Sequence, residues 1–405
     1  MPLLLVLAAG CFVSSMSMRL IDPVVPDIAR DLVVDTGSVA LLASLFAFPY
    51  ALGQPVLGAL GDAFGKARVI KIALAALVLC LAASAAAPNL NVLSVSRLIG
   101  GAAAGGVIPL AFAIVGDRFS MAERQVALSR VLTAIIAGQL TGSLGSGVIA
   151  SYFGWRIATI AATALTLAAF IITLSQLRAR PGKATARARG QFLNGYREVF
   201  ANPRTVVCFS AVFIEGIVIF GLFPYLAVLL ESRDAGGLKE AGFVLAGFAV
   251  GGFAYTALVR LMLARLGLYN LILAGGVVSG IGLALMSLGA SWPVEMATFA
   301  IVGVGFYMIH NSLQTQATEL APNYRASGVA AHAFFFFLGQ AVGPLVYRVG
   351  LAEVGSEATL VIAGIAMALL GVATAVGLRI RSAGHVAAIR DEAPAATDAK
   401  LSRGS

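Results

Sequence analysis

Charge is the scarcest commodity in this sequence. Only 12% of its 405 residues are Asp, Glu, Lys or Arg, against about 25% in soluble domains. With 59% hydrophobic residues, such a chain cannot clothe one soluble core. Paired cysteines are lacking too. Cys11, Cys80 and Cys208 each stand alone in an apolar run. They offer neither a disulfide framework nor metal-ligand spacing, and read as small buried hydrophobes. Three histidines are present, with no His-Glu-x-x-His pattern among them. A phosphate loop is also missing, so ATP hydrolysis within this chain is excluded. The residues suggest no enzyme and no cofactor. The N-terminal Met1-Pro2-Leu3-Leu4-Leu5 has no basic flank, which argues against a cleaved signal peptide and for a first membrane span.

Long apolar runs are what the chain does have. A helix crossing a hydrocarbon core of ~30 Å needs about 20 residues. Twelve such runs are predicted, at roughly 2–22, 38–60, 69–87, 91–115, 126–150, 156–177, 205–230, 241–264, 269–290, 292–317, 327–348 and 357–379. Lys and Arg orient them. With the N-terminus inside, the inner connections hold twenty-one bases and the outer connections five. Both ends are therefore expected in the cytoplasm. The same asymmetry accounts for the net charge of +9 without nucleic acid. The longest polar connection, 178–204, carries seven bases that suit an anionic leaflet, although a solvated linker is the plainer reading. It divides the chain into residues 1–177, six spans, and 205–379, six more. The tail, 380–405, is Ala-rich and polar and is expected to be disordered.

The two halves look duplicated. Gly138-Gln139-Leu140-Thr141-Gly142 recurs 201 residues later as Gly339-Gln340-Ala341-Val342-Gly343, and the pairs Pro23/Pro224 and Arg124/Arg325 share that offset. One spacing linking spans 1 with 7 and 5 with 11 supports an internal repeat.

Between spans 2 and 3 lies Gly58-Ala59-Leu60-Gly61-Asp62-Ala63-Phe64-Gly65-Lys66-Ala67-Arg68. Small glycines let helices approach, and Gly65 permits a tight turn. This resembles the loop signature of the major facilitator superfamily. Gly58, Leu60, Gly61, Asp62, Gly65 and Lys66 match it; Ala63 and Ala67 stand where the family often has bases, and Arg68 lies one place late. The resemblance implies an all-α integral membrane protein of two six-helix bundles around a substrate cavity. It also implies a gate on the cytoplasmic side. Asp62 would face the start of span 11, near Ser327, with Arg118, Arg124 or Arg325 joining it. The alternative is that Asp62 pairs with Lys66 in water.

Three further stretches resemble the twelve-span drug:proton antiporters of that family. Span 1 ends Arg19-Leu20-Ile21-Asp22-Pro23-Val24-Val25-Pro26-Asp27, whose Pro-Val-x-Pro resembles their first-span motif. Arg19 and Asp22 share a helix face, as a charge relay or as an interfacial ion pair. In span 4, Arg97 and Gly101 match an Arg-x-x-x-Gly motif associated with proton coupling. Arg97 keeps its proton, so it would act on a nearby acid such as Asp22, or else bond carbonyls. In span 5, Gly138, Gly142 and Gly147 fit a glycine motif for close packing, but Ser143 replaces its proline. Gly339, Gly343 and Pro344 in span 11 keep that form. Gly154-Trp155-Arg156 after span 5 also looks like the family.

Glu215 is a carboxyl near the middle of span 7, where desolvation penalises its charged form. Intramembrane ionisable residues are functional candidates; the plainer role is a carboxyl bonded to a neighbouring helix. In span 10, Tyr307, Asn311 and Gln314 form a polar stripe on one face. His310 beside them is either a proton carrier or a packing residue. His332 is a weaker candidate, and Phe334 to Phe337 read as lipid-facing and packing bulk. Gln54 and Tyr225, each beside a proline, are candidate cavity residues.

The expected function is alternating-access transport of a small organic solute, with export driven by proton entry. The alternatives are uptake or facilitated diffusion of a metabolite, and a membrane sensor that no longer transports. By resemblance, a monomer in the bacterial inner membrane is expected, with the bilayer and a small solute as partners and the proton gradient as energy source.

Overall fold

The computed structural model describes residues 3–177 and 186–392, with the side chains at 57–59, 62, 121–122, 124–125, 186–192 and 382–392 outside the description. All secondary structure among these residues is helical. Eleven helices are long and apolar enough to cross a membrane. One of them, Leu238–Met286, has 49 residues, or about 73 Å at 1.5 Å per residue. That is more than twice the hydrocarbon thickness. It is divided at Gly267, whose φ of 68° and ψ of 171° break the helical path, a conformation that glycine adopts without a Cβ penalty. Twelve crossing segments result, in two six-helix halves. An even number of crossings leaves the first and last spans ending on one face, the terminus face. The opposite one is the far face.

Span 1 (Leu3–Leu32) stays helical beyond its expected end at 22. Pro23 lies inside a single 3-10 turn, Asp22–Val24, from which the helix restarts at Val25. Span 7 (Arg204–Ser232) does the same with Pro224 in Phe223–Tyr225. The two turns lie 201 residues apart. Each proline lacks an N–H but fits a first-turn position.

The repeat is present in the packing. An added Cβ at Gly138 would lie 2.2 Å from the Phe12 carbonyl, and one at Gly339 would lie 2.1 Å from the Phe213 carbonyl. Spans 1 and 5 therefore touch backbone to backbone as spans 7 and 11 do. Gly142 against Met16 and Gly343 against Ile217 repeat the relation one turn on. Small residues permit this approach where hydrocarbon supplies no hydrophobic drive. The far-face ends of spans 3 and 9 also correspond. The Ala85 and Met286 carbonyls, again 201 apart, each accept from an arginine, Arg156 and Arg233 respectively. Those are orphan carbonyls at helix ends, satisfied by arginines from non-equivalent positions.

Span 5 (Val126–Phe153) lacks the expected proline but is not regular. Thr141–Gly145 forms a π turn, in which Ser143 Oγ donates to the Gln139 carbonyl at 3.0 Å and Ser146 Oγ to that of Gly142. Serine back-bonding of this kind bends helices. In span 4 (Leu90–Arg118), Pro109 cannot donate to the Gly105 carbonyl. Gln54 supplies that donor at 3.2 Å.

Two expectations for the connections change. Within the linker, Ala186–Ala201 is a helix, because Leu193, Tyr196, Val199 and Phe200 recur at helical spacing. Span 12 continues as helix to Glu392, through an Ala-rich stretch of good helix formers. Residues 178–185 and 393–405 lie outside the described residues.

Gly138→Ala and Gly339→Ala are each expected to cost about 1–3 kcal/mol through overpacking and to lower the unfolding midpoint in detergent. Gly145→Ala, where the nearest described atom to the added carbon is Thr141 Cγ2 at 3.5 Å, should leave the midpoint at or above that of the parent. Equal midpoints for all three would refute the backbone contact.

Candidate functional site

Two groups of ionisable side chains are buried in the bundle. The first comes from spans 1 and 4. Arg19 and Asp22 are 6% and 0% exposed, and Arg19 Nη1 lies 3.5 Å from Asp22 Oδ2. Arg19 also crosses to the other half. Its Nη2 donates to Gln340 Oε1 at 2.6 Å, and its guanidinium sits 4.5 Å from the Phe220 ring centre and 4.9 Å from that of Phe223. Cation–π attraction strengthens when such a pair is desolvated. Arg97 donates to the Ser17 carbonyl at 2.8 Å and lies 4.1 Å from the Phe46 ring. Ser17 is in the last turn before the helix breaks, so Arg97 fills an orphan acceptor. Direct contact with Asp22 thus belongs to Arg19, while Arg97 acts on that carboxyl through space.

The second group comes from spans 7, 10 and 11. Glu215 is fully buried, and its Oε2 lies 2.9 Å from Nδ1 of His310. His332 lies edge-on to His310, 5.0 Å between ring centres. His310 is stacked on Phe306 at 4.9 Å and faces Phe336 at 4.5 Å. Glu215 Oε1 has no hydrogen-bond partner among the described residues. The π turn Gly216–Phe220 begins immediately after this glutamate, a distortion frequent at functional sites. Among the described residues no group of three His, Cys, Asp or Glu is arranged to hold a metal ion. The two groups are joined through rings: Phe220, under Arg19, lies 5.4 Å from Phe306 and 5.3 Å from Phe336.

The pseudo-symmetry is therefore one of backbone, not of chemistry. At the 201-residue offset, Arg19 and Asp22 correspond to Phe220 and Phe223, and Ser14 corresponds to Glu215. The two-fold relation brings the ion pair of one half against the aromatic pair of the other.

Other candidates are placed as follows. Tyr307 is half-buried between Phe306, Phe248 and Tyr255. Asn311 is half-buried and Gln314 exposed, so the span-10 stripe opens progressively toward the terminus face. Gln54 and Tyr225 are buried carbonyl caps: Tyr225 donates to the Pro344 carbonyl at 2.9 Å, and Gln54 serves span 4. The Gly105 carbonyl freed by Pro109 claims Gln54, and Tyr225 ties spans 7 and 11 together. Phe336 and Phe337 supply the packing part of the Phe334 to Phe337 run, Phe337 lying 4.6 Å from Tyr50 of the other half; four consecutive phenylalanines surround the helix, so some of them must pack inward. An apolar groove of about 480 Å³ lies between spans 3 and 4 against Leu79, Val92 and Ile99.

The gate residues divide. Gly58, Asp62 and Arg124 lie outside the described side chains. Gly61 is packed against Leu110, and Gly65 turns the chain with φ of 92°. Lys66 pairs with Asp117 at 2.7 Å, within its own half. Arg68 and Arg118 are exposed. Arg325 pairs with Glu319 at 3.6 Å, because its helix begins beside that acid. Ser327 is not a helix cap: Tyr324 occupies that position, and Ser327 faces Gly195 of the linker helix.

Among the described residues the ion pairs that join the halves lie at the far face, and sequence reasoning missed them. Arg30 meets Glu231 at 2.9 Å and Arg348 meets Asp35 at 3.6 Å. Arg30 and Glu231 are 201 apart, so they are equivalent positions meeting near the pseudo-two-fold axis. That numerical relation was the available signal. Ser38, through its hydroxyl and its backbone N–H, holds the Asp35 carboxyl below the usual carboxylate range, and so keeps it charged for Arg348. Asp27 accepts from the Trp155 backbone N–H at 2.8 Å, and Asp31 accepts from Arg156. These contacts explain the Gly154-Trp155-Arg156 stretch as the anchored start of span 6.

With this geometry in hand, comparison with known proteins is direct. The pattern of the Major Facilitator Superfamily matches residues 7–344, and the chain belongs to that family; it is a multi-pass membrane transporter, not an enzyme. It is 24% identical over 363 residues to the multi-drug resistance efflux pump PmrA of Streptococcus pneumoniae, covering 86% of this chain and 89% of that one. To the quinolone resistance protein NorA of Staphylococcus aureus it is 24% identical over 374 residues, covering 91% and 94%. Among solved structures, that of the nucleoside transporter NupG superposes with a TM-score of 0.77 at 15% identity, covering 93% of this chain and 100% of that one. That likeness is one of fold.

Asp22→Ala leaves Arg19 buried without its counter-ion, a change expected to cost about 3–5 kcal/mol and to reduce the yield of monodisperse protein sharply. Arg19→Gln combined with Asp22→Asn should recover most of that yield. A double variant no better than Asp22→Ala would show that the pair is not what makes these charges tolerable.

Proposed function

We propose that the chain exports a small organic solute in exchange for protons. The observation that carries this reading is the Glu215–His310 pair. A carboxyl sits wholly inside the bundle against an imidazole, and among the described residues one of its oxygens has no protein partner and no arginine or lysine is paired with it. Such a group tolerates hydrocarbon as the acid and needs a cation or a proton when it ionises. The relatives' printed names, which speak of drug efflux and quinolone resistance, support the direction.

The bias of Lys and Arg toward the inner connections supports reading both chain ends as cytoplasmic. On that orientation the far face is extracellular, and the arrangement described is closed outside by Arg30–Glu231, Asp35–Arg348 and the Arg19–Gln340 contact. It opens inward along Asn311 and Gln314. A solute entering from the cytoplasm reaches Glu215 at the end of that stripe and displaces its proton through His310. The halves then rock, the far-face pairs separate, and a proton from outside reclaims the carboxyl and releases the solute. Proton and solute exclude one another at one group, which is all that exchange requires. The cytoplasmic membrane of a bacterium is the setting, and a monomer is sufficient for this cycle.

The test is flux in proteoliposomes under an imposed pH gradient, with a panel of organic cations and quinolones. Wild-type protein is expected to move at least one of them against its gradient. Glu215→Gln should lower this driven flux by about tenfold or more, because proton transfer by a positioned group commonly contributes that much or more. Driven flux unchanged in Glu215→Gln would overturn the assignment.

A further inference from the structure

The linker helix (Ala186–Ala201) is not a membrane span, yet it exposes large apolar side chains. Leu193 is 67% and Phe200 55% exposed. They are seven residues apart, and Arg197, between them, is exposed as well. At 100° per residue these three occupy one face. The opposite face is docked. Gly195 is buried against Tyr324 and Ser327, an added Cβ there falling 2.3 Å from Ser327 Oγ, and Val199 is fully buried. The helix lies on the terminus face, between the basic linker and span 7. Its end is fastened to the span 10–11 turn: Asn202 Nδ2 donates to the Leu320 carbonyl at 3.1 Å, and Arg204 to the Glu319 carbonyl at 3.3 Å. Arg381, at the end of span 12, donates to the Pro203 carbonyl, which adds a base to the same corner.

An outward face of Leu, Arg and Phe on a helix lying at the membrane surface fits a boundary between hydrocarbon and anionic headgroups. Charge complementarity selects the occupant: seven bases lie between Arg178 and Arg204, and Arg197 lies on the exposed face itself. We infer that this helix is a lipid-reading element. Its Leu193/Arg197/Phe200 face binds the anionic phospholipid leaflet, and its Gly195/Val199 face passes that binding to the turn that begins span 11. The tight Gly195–Ser327 contact makes the coupling specific: the linker helix and the first turn of span 11 move together or separate. Anionic lipid thus steadies the start of span 11, the helix that supplies His332, Phe336 and Gln340 to the buried groups. The inference rests on the membrane fold and is independent of the solute or its coupling.

Hydrogen–deuterium exchange on the full chain in nanodiscs tests it, comparing phosphatidylcholine alone with a phosphatidylcholine and phosphatidylglycerol mixture. In the anionic discs, peptides covering 193–200 and 320–327 are expected to exchange about fivefold more slowly, the factor to which ~1 kcal/mol per surface base corresponds. Arg197→Glu should remove most of the difference in both peptides. Gly195→Leu should keep the slowing at 193–200 and lose it at 320–327, since the wedge undocks the helix from Ser327. Equal exchange in the two lipids overturns the proposal. So does slowing that survives Arg197→Glu, and so does slowing at 320–327 that survives Gly195→Leu.

Discussion

A guanidinium in hydrocarbon needs a partner for its charge, and Arg19 finds partners in both halves of the molecule. Asp22 supplies the opposite charge from the same helix. Gln340 and the Phe220 and Phe223 rings supply an acceptor and polarisable faces from the other half. Breaking a buried charge pair costs several kcal/mol, a large part of a protein's total stability. The arrangement closed at the far face is therefore the one in which Arg19 holds Asp22 and Gln340 together. Any opening of that face must carry Arg19 with one half or find it new partners. The more exposed pairs Arg30–Glu231 and Asp35–Arg348 contribute little each; they set the register of a closure whose energy lies deeper.

This places the two buried groups in different roles. In the Arg19, Asp22 and Arg97 group the carboxylate is paired with a guanidinium and Arg97 serves a carbonyl of the broken first span, although Asp22 Oδ1 and several guanidinium nitrogens have no hydrogen-bond partner among the described residues. The Glu215 carboxylate is paired with an imidazole instead. One carboxylate oxygen lacks a protein partner among the described residues, and the neighbouring aromatics are apolar except at their faces. The duplicated backbone supports both groups because the repeat governs where helices touch, not what the side chains at those places are. Glycine against carbonyl recurs at Gly138 and Gly339. Ser14 and Glu215 occupy equivalent positions and share no chemistry.

The fold was the legible part of the sequence. Twelve apolar runs, the Lys and Arg bias and the glycine–acid–base signature depend only on composition along the chain. Glu215 and His310 were visible individually, since an ionisable group inside a long apolar run stands out. Their partnership was not, because nothing local relates position 215 to 310. Gln54 and Tyr225 donate to carbonyls of neighbouring spans, contacts that nothing local in the sequence announces. Which of Phe334 to Phe337 would pack inward was not legible, because a run of identical residues carries no face. The Arg19–Gln340 contact crosses 321 residues. Only the 201-residue offset, already visible in Pro23 and Pro224, hinted that the first span would meet the seventh and eleventh.

The proposed exchange turns on one group holding either a proton or a solute. Proton release on solute addition measures this directly, in weakly buffered detergent solution with a pH indicator, at the same protein concentration for wild type and Glu215→Gln. The account predicts about one proton released per solute bound by wild-type protein and none by Glu215→Gln, even though the variant still binds the solute. Equal release from both proteins would contradict it.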